Sequence, residues 1–177
     1  MEIVIKELDA SNVHQVNQCD GTFLVDSVMR LHVDDRTITY SITSIPSYRK
    51  RYPKDDIDYA SYINHPEKHI FLASIDDQPA GQIIVRKNWN RFAYIQDIAV
   101  DIRFRKIGVG RKLMARAMDW ARTKNLAGVM LETQNNNVGA CKFYERLGFQ
   151  LAGFDQALYR GIDPNTNEIA LYWYLVF

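Results

Sequence analysis

The chain has 177 residues, of which 47% are hydrophobic and 24% charged, and its formal net charge is +1. This size and composition are typical of a globular protein, and we expect a single domain over residues 1–177. The near-neutral charge excludes a broad basic face for nucleic acid or an anionic membrane. No apolar run reaches the roughly 20 residues of a membrane span.

The N-terminus and the cysteines indicate a cytoplasmic protein. The first residues include acids, where a signal peptide has basic residues followed by a long apolar segment. Cys19 and Cys141 are too few for a disulfide framework and have no metal-ligand spacing. His65 and His69 are four positions apart, but Pro66 lies between them and a third ligand is missing. We therefore expect no metal.

The first third of the chain is predicted to be mainly β-structure. Alternating and β-branched residues favour strands, whereas proline favours irregular segments. The predicted elements are a strand at Ile3–Leu8, a short helix from Asp9 or Ser11 to Gln18, strands at Phe23–Val33 and Thr37–Ser44 around a turn at 34–36, an irregular stretch at Ile45–Pro53 and a short helix at Asp55–Asn64.

The remainder of the chain alternates strands with two helices. Apolar residues recur at helical spacing after Gly108, and a short apolar run at 129–132 is typical of a strand buried on both faces. The predicted elements are strands at His69–Ile75, Ala80–Lys87 and Phe92–Val100, a helix at Gly108–Lys124, a strand at Val129–Glu132, a helix at Asn137–Leu147, and strands at Gln150–Tyr159 and Glu168–Val176. This order predicts an α/β fold with a mixed sheet.

A glycine-containing loop follows the predicted strand that ends at Val100. The segment Arg105–Gly110 reads Arg-Lys-Ile-Gly-Val-Gly and opens the first long helix. The first turn of a helix has unpaired N–H groups and a positive dipole end, and glycines let the backbone approach phosphate oxygens. The loop is therefore a candidate anion site. It lacks the lysine and hydroxyl residue of a Walker loop and the third glycine of a dinucleotide fingerprint.

A second segment, Asn137–Phe149, has the pattern N-x-x-A-x-x-x-Y-x-x-x-G-F. Together with R-x-x-G-x-G after a strand that ends in Ala-Val, it resembles the acyl-CoA site of GNAT superfamily N-acetyltransferases. The resemblance implies a mixed, mostly antiparallel sheet flanked by helices, with splayed fourth and fifth strands and the pantetheine arm of acetyl-CoA between them. The N-terminal β-hairpin would be an elaboration of that fold.

The resemblance also implies roles for individual residues. Backbone groups of the strand end would bind the acetyl and pantetheine amides, backbone N–H groups of the loop would bind the pyrophosphate, and Asn137 and Phe143 would contact the CoA arm. Tyr144 would be the general acid that protonates the leaving thiolate. The implied acetyl-CoA residues are Ile98, Ala99, Val100, Arg105, Lys106, Gly108, Val109, Gly110, Asn137, Phe143 and Tyr144.

Three further segments are similar to streptothricin acetyltransferases, a family that acetylates an amine of the β-lysine arm of a cationic antibiotic. These segments are Arg86–Tyr94, Leu131–Gln134 and Tyr172–Leu175, and a weaker likeness extends through the N-terminal hairpin. The resemblance thus implies a small cationic amine as the acceptor. Two tryptophans in these segments, Trp89 and Trp173, are candidate walls of the acceptor site.

Amine acetylation requires a base, because an alkyl ammonium with a pKa near 10.4 is not nucleophilic at neutral pH. Glu132, twelve positions before Tyr144, is the first candidate, and Asp97 is the second. Either carboxylate would also bind the cationic acceptor. Two alternatives stay open at this stage: a protein N-terminal or lysine acetyltransferase, and a non-catalytic acyl-CoA-binding regulatory domain. The sequence also leaves open whether chains pair as homodimers.

Overall fold

The structure, a computed structural model, describes residues 2–177. These residues form nine strands, two α-helices and four short 3-10 helices. In chain order the strands and α-helices are β1 (Val4–Glu7), β2 (Phe23–Asp34), β3 (Thr37–Lys50), β4 (Lys68–Ile75), β5 (Gln78–Lys87), β6 (Ala93–Val100), α1 (Val109–Thr123), β7 (Gly128–Gln134), α2 (Val138–Arg146), β8 (Gln150–Asp155) and β9 (Ala170–Val176). The 3-10 helices are Val13–Gln15, Tyr59–Tyr62, Ile102–Phe104 and Leu158–Gly161.

The chain folds into two compact units. The first unit comprises Met1–Phe23 and Arg51–Val129, and the second comprises Leu24–Lys50 and Met130–Phe177. The organisation of residues 1–177 as a single domain stays a prediction.

The first unit contains four antiparallel strands in the order β1-β4-β5-β6, with α1 packed on β4, β5 and β6. Asp76 and Asp77 join β4 to β5 with positive φ angles of 47° and 59°, as a two-residue hairpin turn requires. The buried residues of α1 recur at helical spacing and give it one apolar face. They are Val109, Leu113, Met114, Ala117, Trp120 and Ala121.

The second unit contains β8 and β9, which pair antiparallel, and the helix α2. Strands β2 and β3 form a separate two-stranded sheet. A three-residue polar cluster ties β3 to α2. In that cluster the Tyr40 hydroxyl donates to the Glu145 carboxylate, and Lys142 donates to both. The hairpin is therefore anchored by side chains next to Tyr144 along α2.

Four sequence predictions differ from the structure. The predicted helix from Asp9 or Ser11 to Gln18 is reduced to the 3-10 helix Val13–Gln15, with turns on either side. The stretch Ile45–Pro53, predicted as irregular, continues β3 as far as Lys50. Each strand of a two-stranded sheet has one edge without a partner, and Pro46 is tolerated there because no N–H donor is needed. The predicted helix at Asp55–Asn64 is reduced to the 3-10 turn Tyr59–Tyr62, which Asp58 caps. The predicted strand Gln150–Tyr159 ends at Asp155, so Tyr159 lies on a 3-10 helix.

Within residues 2–177, no helix is both long enough and apolar enough to cross a membrane.

Candidate functional site

The predicted phosphate loop lies between β6 and α1 in the first unit. Lys106 and Gly108 both have left-handed backbone conformations, with φ angles of 64° and 102°. Gly108 is the N-cap of α1 and offers no side chain to the helix. The first hydrogen bond inside the helix runs from Lys112 N–H to the Gly108 carbonyl at 3.0 Å. The N–H groups of the first turn thus have no partner inside the helix, as expected of an anion site.

Arg105 makes a hydrogen bond within the loop region, and its predicted contact with acetyl-CoA stays a prediction. Its Nε donates to the carbonyl of Val100 at 3.1 Å, so the side chain fastens the loop to the end of β6. Burial lowers the pKa of Arg105, but a guanidinium remains charged at neutral pH. Arg105 therefore braces the loop, and its guanidinium also places a positive charge next to the loop.

Asp101 holds the other side of the same loop. The carboxylate is buried and accepts hydrogen bonds from Arg103 Nε at 2.9 Å and from the backbone N–H of Asp20 at 3.0 Å. These hydrogen bonds lower the pKa of Asp101 to about 2, with Arg103 as the main cause. A carboxylate that is ionised at neutral pH and fully hydrogen-bonded positions the backbone and does not exchange protons near that pH.

Gly81 allows α1 and β6 to pack closely on β5. A Cβ atom at this position would lie 2.8 Å from the carbonyl oxygen of Ala99 and 3.0 Å from side-chain atoms of Val109 and Leu113. Of these neighbours, Ala99 and Val109 are among the residues that the family resemblance assigns to acetyl-CoA binding. The glycine is therefore required by the geometry of the β6 end and the start of α1.

Asp97 lies on β6, next to an irregularity in the pairing with β5. Ile84 pairs with Asp97 and Val85 pairs with Ile95, so Gln96 is an extra residue in β6. Bulges of this kind re-aim side chains and are common beside active sites. Burial raises the pKa of Asp97, the nearby charge of Asp55 adds to the rise, and a hydrogen bond from Gln82 opposes it.

Glu132 lies on β7 in the second unit, and the hydroxyl of Tyr159 donates a hydrogen bond to its carboxylate. Burial raises the pKa of Glu132 to about 7. A carboxylate with a pKa near the working pH suits a general base, because it is ionised often enough to act and basic enough to take a proton. Tyr159 orients this carboxylate, and the sequence prediction missed it.

Tyr144 lies on α2 and is 5% exposed, in contact with three aromatic rings. The ring centroids of Phe143, Phe149 and Trp173 are 5.5, 5.9 and 6.3 Å from its own. This packing fixes the direction of the phenol.

Asn137 is the N-cap of α2, with its side-chain oxygen accepting from the Ala140 N–H at 3.3 Å. The structure thus shows a capping role for Asn137, and its contact with the CoA arm stays a prediction.

The two tryptophans that the sequence offered as pocket walls differ in exposure. Trp89 is 91% exposed on the loop between β5 and β6, whereas Trp173 is 1% exposed on β9. The burial of Trp173 against Tyr144 favours a packing role for it.

Cys141 is fully buried, and burial raises the pKa of its thiol to about 12. A thiol in this environment is not a nucleophile. This argues against a mechanism in which the acetyl group is first transferred to Cys141 as a covalent intermediate.

Three site residues that the sequence analysis did not identify are Gln82, Asp101 and Tyr159. Gln82 had a signal: it is the polar residue inside the otherwise apolar run Ala80–Val85, and such a residue needs a specific partner. Asp101 had a weaker one, since an aspartate directly after a strand often caps the next turn. Tyr159 gave no signal, because it resembles any other aromatic residue at the end of a strand.

The first unit fits the diphosphate of a CoA thioester. The left-handed residue at the N-cap and the unpaired N–H groups of the first turn form an anion cradle, and Gly110 adds no bulk. Lys106, with an exposed side chain, adds positive charge. Among residues 2–177, no group of three or more His, Cys, Asp or Glu side chains could hold a metal ion.

Comparisons with known proteins identify the family of the chain. Residues 26–149 match the family model described as the Acetyltransferase (GNAT) family. Streptothricin acetyltransferase A of Bacillus subtilis is 36% identical over 175 residues, which cover 98% of this chain and 100% of the relative. Streptothricin acetyltransferase of Escherichia coli is 35% identical over 173 residues, which cover 98% of this chain and 91% of the relative.

A solved structure extends the likeness to three dimensions. It is a Bacillus anthracis protein assigned as a streptothricin acetyltransferase and crystallised with acetyl coenzyme A. The TM-score is 0.92 and the identity 42%, with 100% of this chain and 98% of that chain covered. The fold class predicted from the sequence, an α/β GNAT fold with a mixed and mostly antiparallel sheet, is thereby confirmed. The chain belongs to the Acetyltransferase (GNAT) family and is an acetyl-CoA-dependent N-acetyltransferase.

Proposed function

We propose that this enzyme transfers the acetyl group of acetyl-CoA to a primary amine of streptothricin, on its β-lysine arm, and so gives resistance to that antibiotic. The observation that carries the proposal is the carboxylate of Glu132, which Tyr159 orients and whose pKa burial raises to about 7. The acceptor class follows from the chain-long similarity to streptothricin acetyltransferases.

The base in this proposal is Glu132. An acceptor ammonium must lose a proton before its nitrogen can attack, and a group with a pKa about 7 accepts that proton directly or through a water. The hydrogen bond from Tyr159 keeps one carboxylate oxygen engaged, which leaves the other for the acceptor. Positioned general bases of this kind contribute about a hundred- to ten-thousand-fold in rate.

The acid in this proposal is Tyr144. Bound acetyl-CoA supplies an activated acyl group, and the departing sulfur needs a proton. The aromatic rings around Tyr144 fix its phenol, whose Oη–H supplies that proton. The N–H groups at the start of α1 hold the diphosphate. The close packing around Gly81 keeps the end of β6 and the start of α1 in the position that this binding requires.

The test is a thiol-release assay with acetyl-CoA and streptothricin, followed by mass analysis of the drug. We expect one added acetyl group and a rate well above that with any peptide in a panel of N-terminal and lysine substrates. Comparable or faster turnover of peptides would overturn the assignment of the acceptor and favour the protein acetyltransferase alternative.

A second experiment separates the enzyme from a non-catalytic acyl-CoA-binding domain. Tyr144→Phe should sharply lower turnover while leaving acetyl-CoA affinity within about twofold, because a single hydroxyl is removed from a packed ring. Tyr174→Phe is the matched control: Tyr174 lies on β9 and lines a surface cavity with Gly148 and Gln150. Equal activity of both variants would remove Tyr144 as the acid.

A cytoplasmic location completes the proposal, and a homodimer is the oligomeric state to be tested. The location is supported by two cysteines that are both free and buried, Cys19 and Cys141. Cell fractionation tests the location, and light scattering on the purified protein tests the oligomeric state.

A further inference from the structure

Gln82 is a buried amide in β5 whose orientation is fixed by three hydrogen bonds. Its side-chain oxygen accepts the backbone N–H of Asn17 at 2.7 Å. Its Nε2 donates to the side-chain oxygen of Asn17 at 2.9 Å and to Oδ2 of Asp97 at 2.7 Å. Both N–H groups and the oxygen are used, and the residue is 2% exposed. A flipped amide would lose these bonds, so a single arrangement is stable.

Asn17 is itself held by the segment that follows β3. Its φ of 63° is left-handed, a conformation that asparagine tolerates better than most residues. Its Nδ2 donates to the Tyr59 hydroxyl at 2.7 Å, and its carbonyl accepts from Lys54 Nζ at 3.0 Å. The chain Tyr59–Asn17–Gln82–Asp97 is thus a continuous series of hydrogen bonds that ends on a carboxylate.

The charge of Asp97 has no cationic partner in the part of the chain that the structure describes. The hydrogen bond to its carboxylate comes from a neutral amide, and the charged group that acts on it is Asp55, which has the same sign. A half-buried carboxylate beside a like charge is costly. A cation from outside the chain would offset that cost.

We propose that Gln82 is a positioning residue for acceptor recognition, which holds Oδ2 of Asp97 so that Oδ1 binds an ammonium group of the acceptor. The amine that is acetylated loses its charge, so a lasting counterion suits a second ammonium that stays charged. The enzyme then selects amines that have two cationic groups. This inference rests on the proposed function, whose acceptor carries more than one amine.

The primary test is Gln82→Met, which keeps the length of the side chain and removes all three hydrogen bonds. The Michaelis constant for streptothricin should rise about tenfold or more, because a hydrogen bond to a charged group is lost. The Michaelis constant for acetyl-CoA and kcat should stay within about twofold. An unchanged constant for streptothricin, or an equal rise for both substrates, would overturn the positioning role.

A matched pair of variants guards against simple loss of folding. The two variants are Asn17→Ala and Asn12→Ala, and each removes a side chain that makes two hydrogen bonds in the same N-terminal segment. The Asn12 side chain accepts from the Asp9 N–H at 2.8 Å and donates to the Glu7 carbonyl at 2.9 Å. Asn17→Ala should raise the acceptor constant, whereas Asn12→Ala should only lower the melting temperature. Equal kinetic effects of the two would contradict the inference.

A binding experiment separates this inference from the proposed function. Calorimetry compares 1,5-diaminopentane with pentylamine on the wild type and on Gln82→Met. We expect the wild type to bind the diamine at least tenfold more tightly and the variant to lose most of that preference. If the wild type fails to acetylate streptothricin, the proposed function falls and this preference still decides the role of Gln82. A wild type without the preference overturns the inference.

Discussion

Replacing Glu132 by glutamine should remove most of the activity and at the same time stabilise the protein. Burial raises the pKa of this carboxyl from 4.5 to about 7. Above pH 7 the native state therefore holds a charge that the unfolded state would solvate better. A rise in pKa from 4.5 to about 7 corresponds to about 3.4 kcal/mol at most. Glu132 is half-buried, so screening by solvent reduces this to about 2 kcal/mol.

The sign of the effect follows from proton binding. Between pH 4.5 and about 7 the native state holds a proton on Glu132 that the unfolded state has released, so stability falls as the pH rises. Glu132→Gln should thus raise the melting temperature by about 4–8 °C at pH 8 and by much less at pH 5. Thermal unfolding at the two pH values measures the difference. A variant that is less stable at pH 8 would refute the reasoning.

The same group should shape the rate. With a pKa about 7, the ionised fraction of Glu132 rises from about 0.09 at pH 6 to about 0.91 at pH 8. We expect kcat/KM for the acceptor to rise about tenfold over this range and then to flatten. Glu132→Gln should lower kcat by about a hundredfold or more and abolish the inflection. A rate that rises without a plateau to pH 9 in both proteins would indicate that free amine alone sets the pH dependence.

Glu145→Gln is the control for both measurements. Burial raises the pKa of Glu145, but hydrogen bonds from Tyr40 and Lys142 outweigh burial and the net shift is downward. This carboxylate is ionised throughout the range from pH 6 to pH 8. Its replacement should leave the inflection near pH 7 in place and should not stabilise the protein.

Three further predictions concern the loop and the base. Asp101→Asn should lower stability at pH 7, because the hydrogen-bonded carboxylate is lost; the loss should be only about 1–2 kcal/mol, since its main partner, Arg103, is more than half exposed. The loss should vanish as the pH falls from 3.8 to about 2, and thermal unfolding at pH 7 and at about pH 2 measures it. Gly81→Ala should weaken acetyl-CoA binding at least severalfold by calorimetry, since the added methyl group meets the carbonyl of Ala99 at 2.8 Å. Tyr159→Phe should move the kinetic inflection to higher pH with unchanged acetyl-CoA affinity, because the lost donor favoured the ionised base.

Much of the fold could be predicted from periodicity. The apolar spacing of α1 and the buried runs of β4, β5 and β6 are local signals, and the structure places these elements within a few residues of the predicted bounds. The end of β3 could not be predicted in this way, since Pro46 reads as a break unless the strand is known to have a single partner. The position of Tyr159 likewise depends on where β8 stops pairing with β9, which no local pattern encodes.

The candidate site could be predicted only where its residues are close together in the sequence. The glycines of the loop and the motif around Tyr144 are contiguous in sequence, so their spacing carries the information. The partners of the two carboxylates are not contiguous: Gln82 lies 15 positions from Asp97, and Tyr159 lies 27 positions from Glu132. Only the folded chain brings such residues together, and a polar residue in a buried strand is the one hint that the sequence offers.

Three carboxylates near the functional elements illustrate how the fold assigns roles by environment. Asp101 is hydrogen-bonded to Arg103 and to backbone, its pKa is about 2, and it can only brace the loop. Glu132 is buried, with a pKa about 7, and it can exchange a proton at neutral pH. Asp97 stands between these cases: burial raises its pKa, and a neutral amide donor from Gln82 works in the opposite direction. A cation bound to Asp97, as proposed for the acceptor, would lower its pKa, so acceptor binding and the ionised form of Asp97 would favour each other.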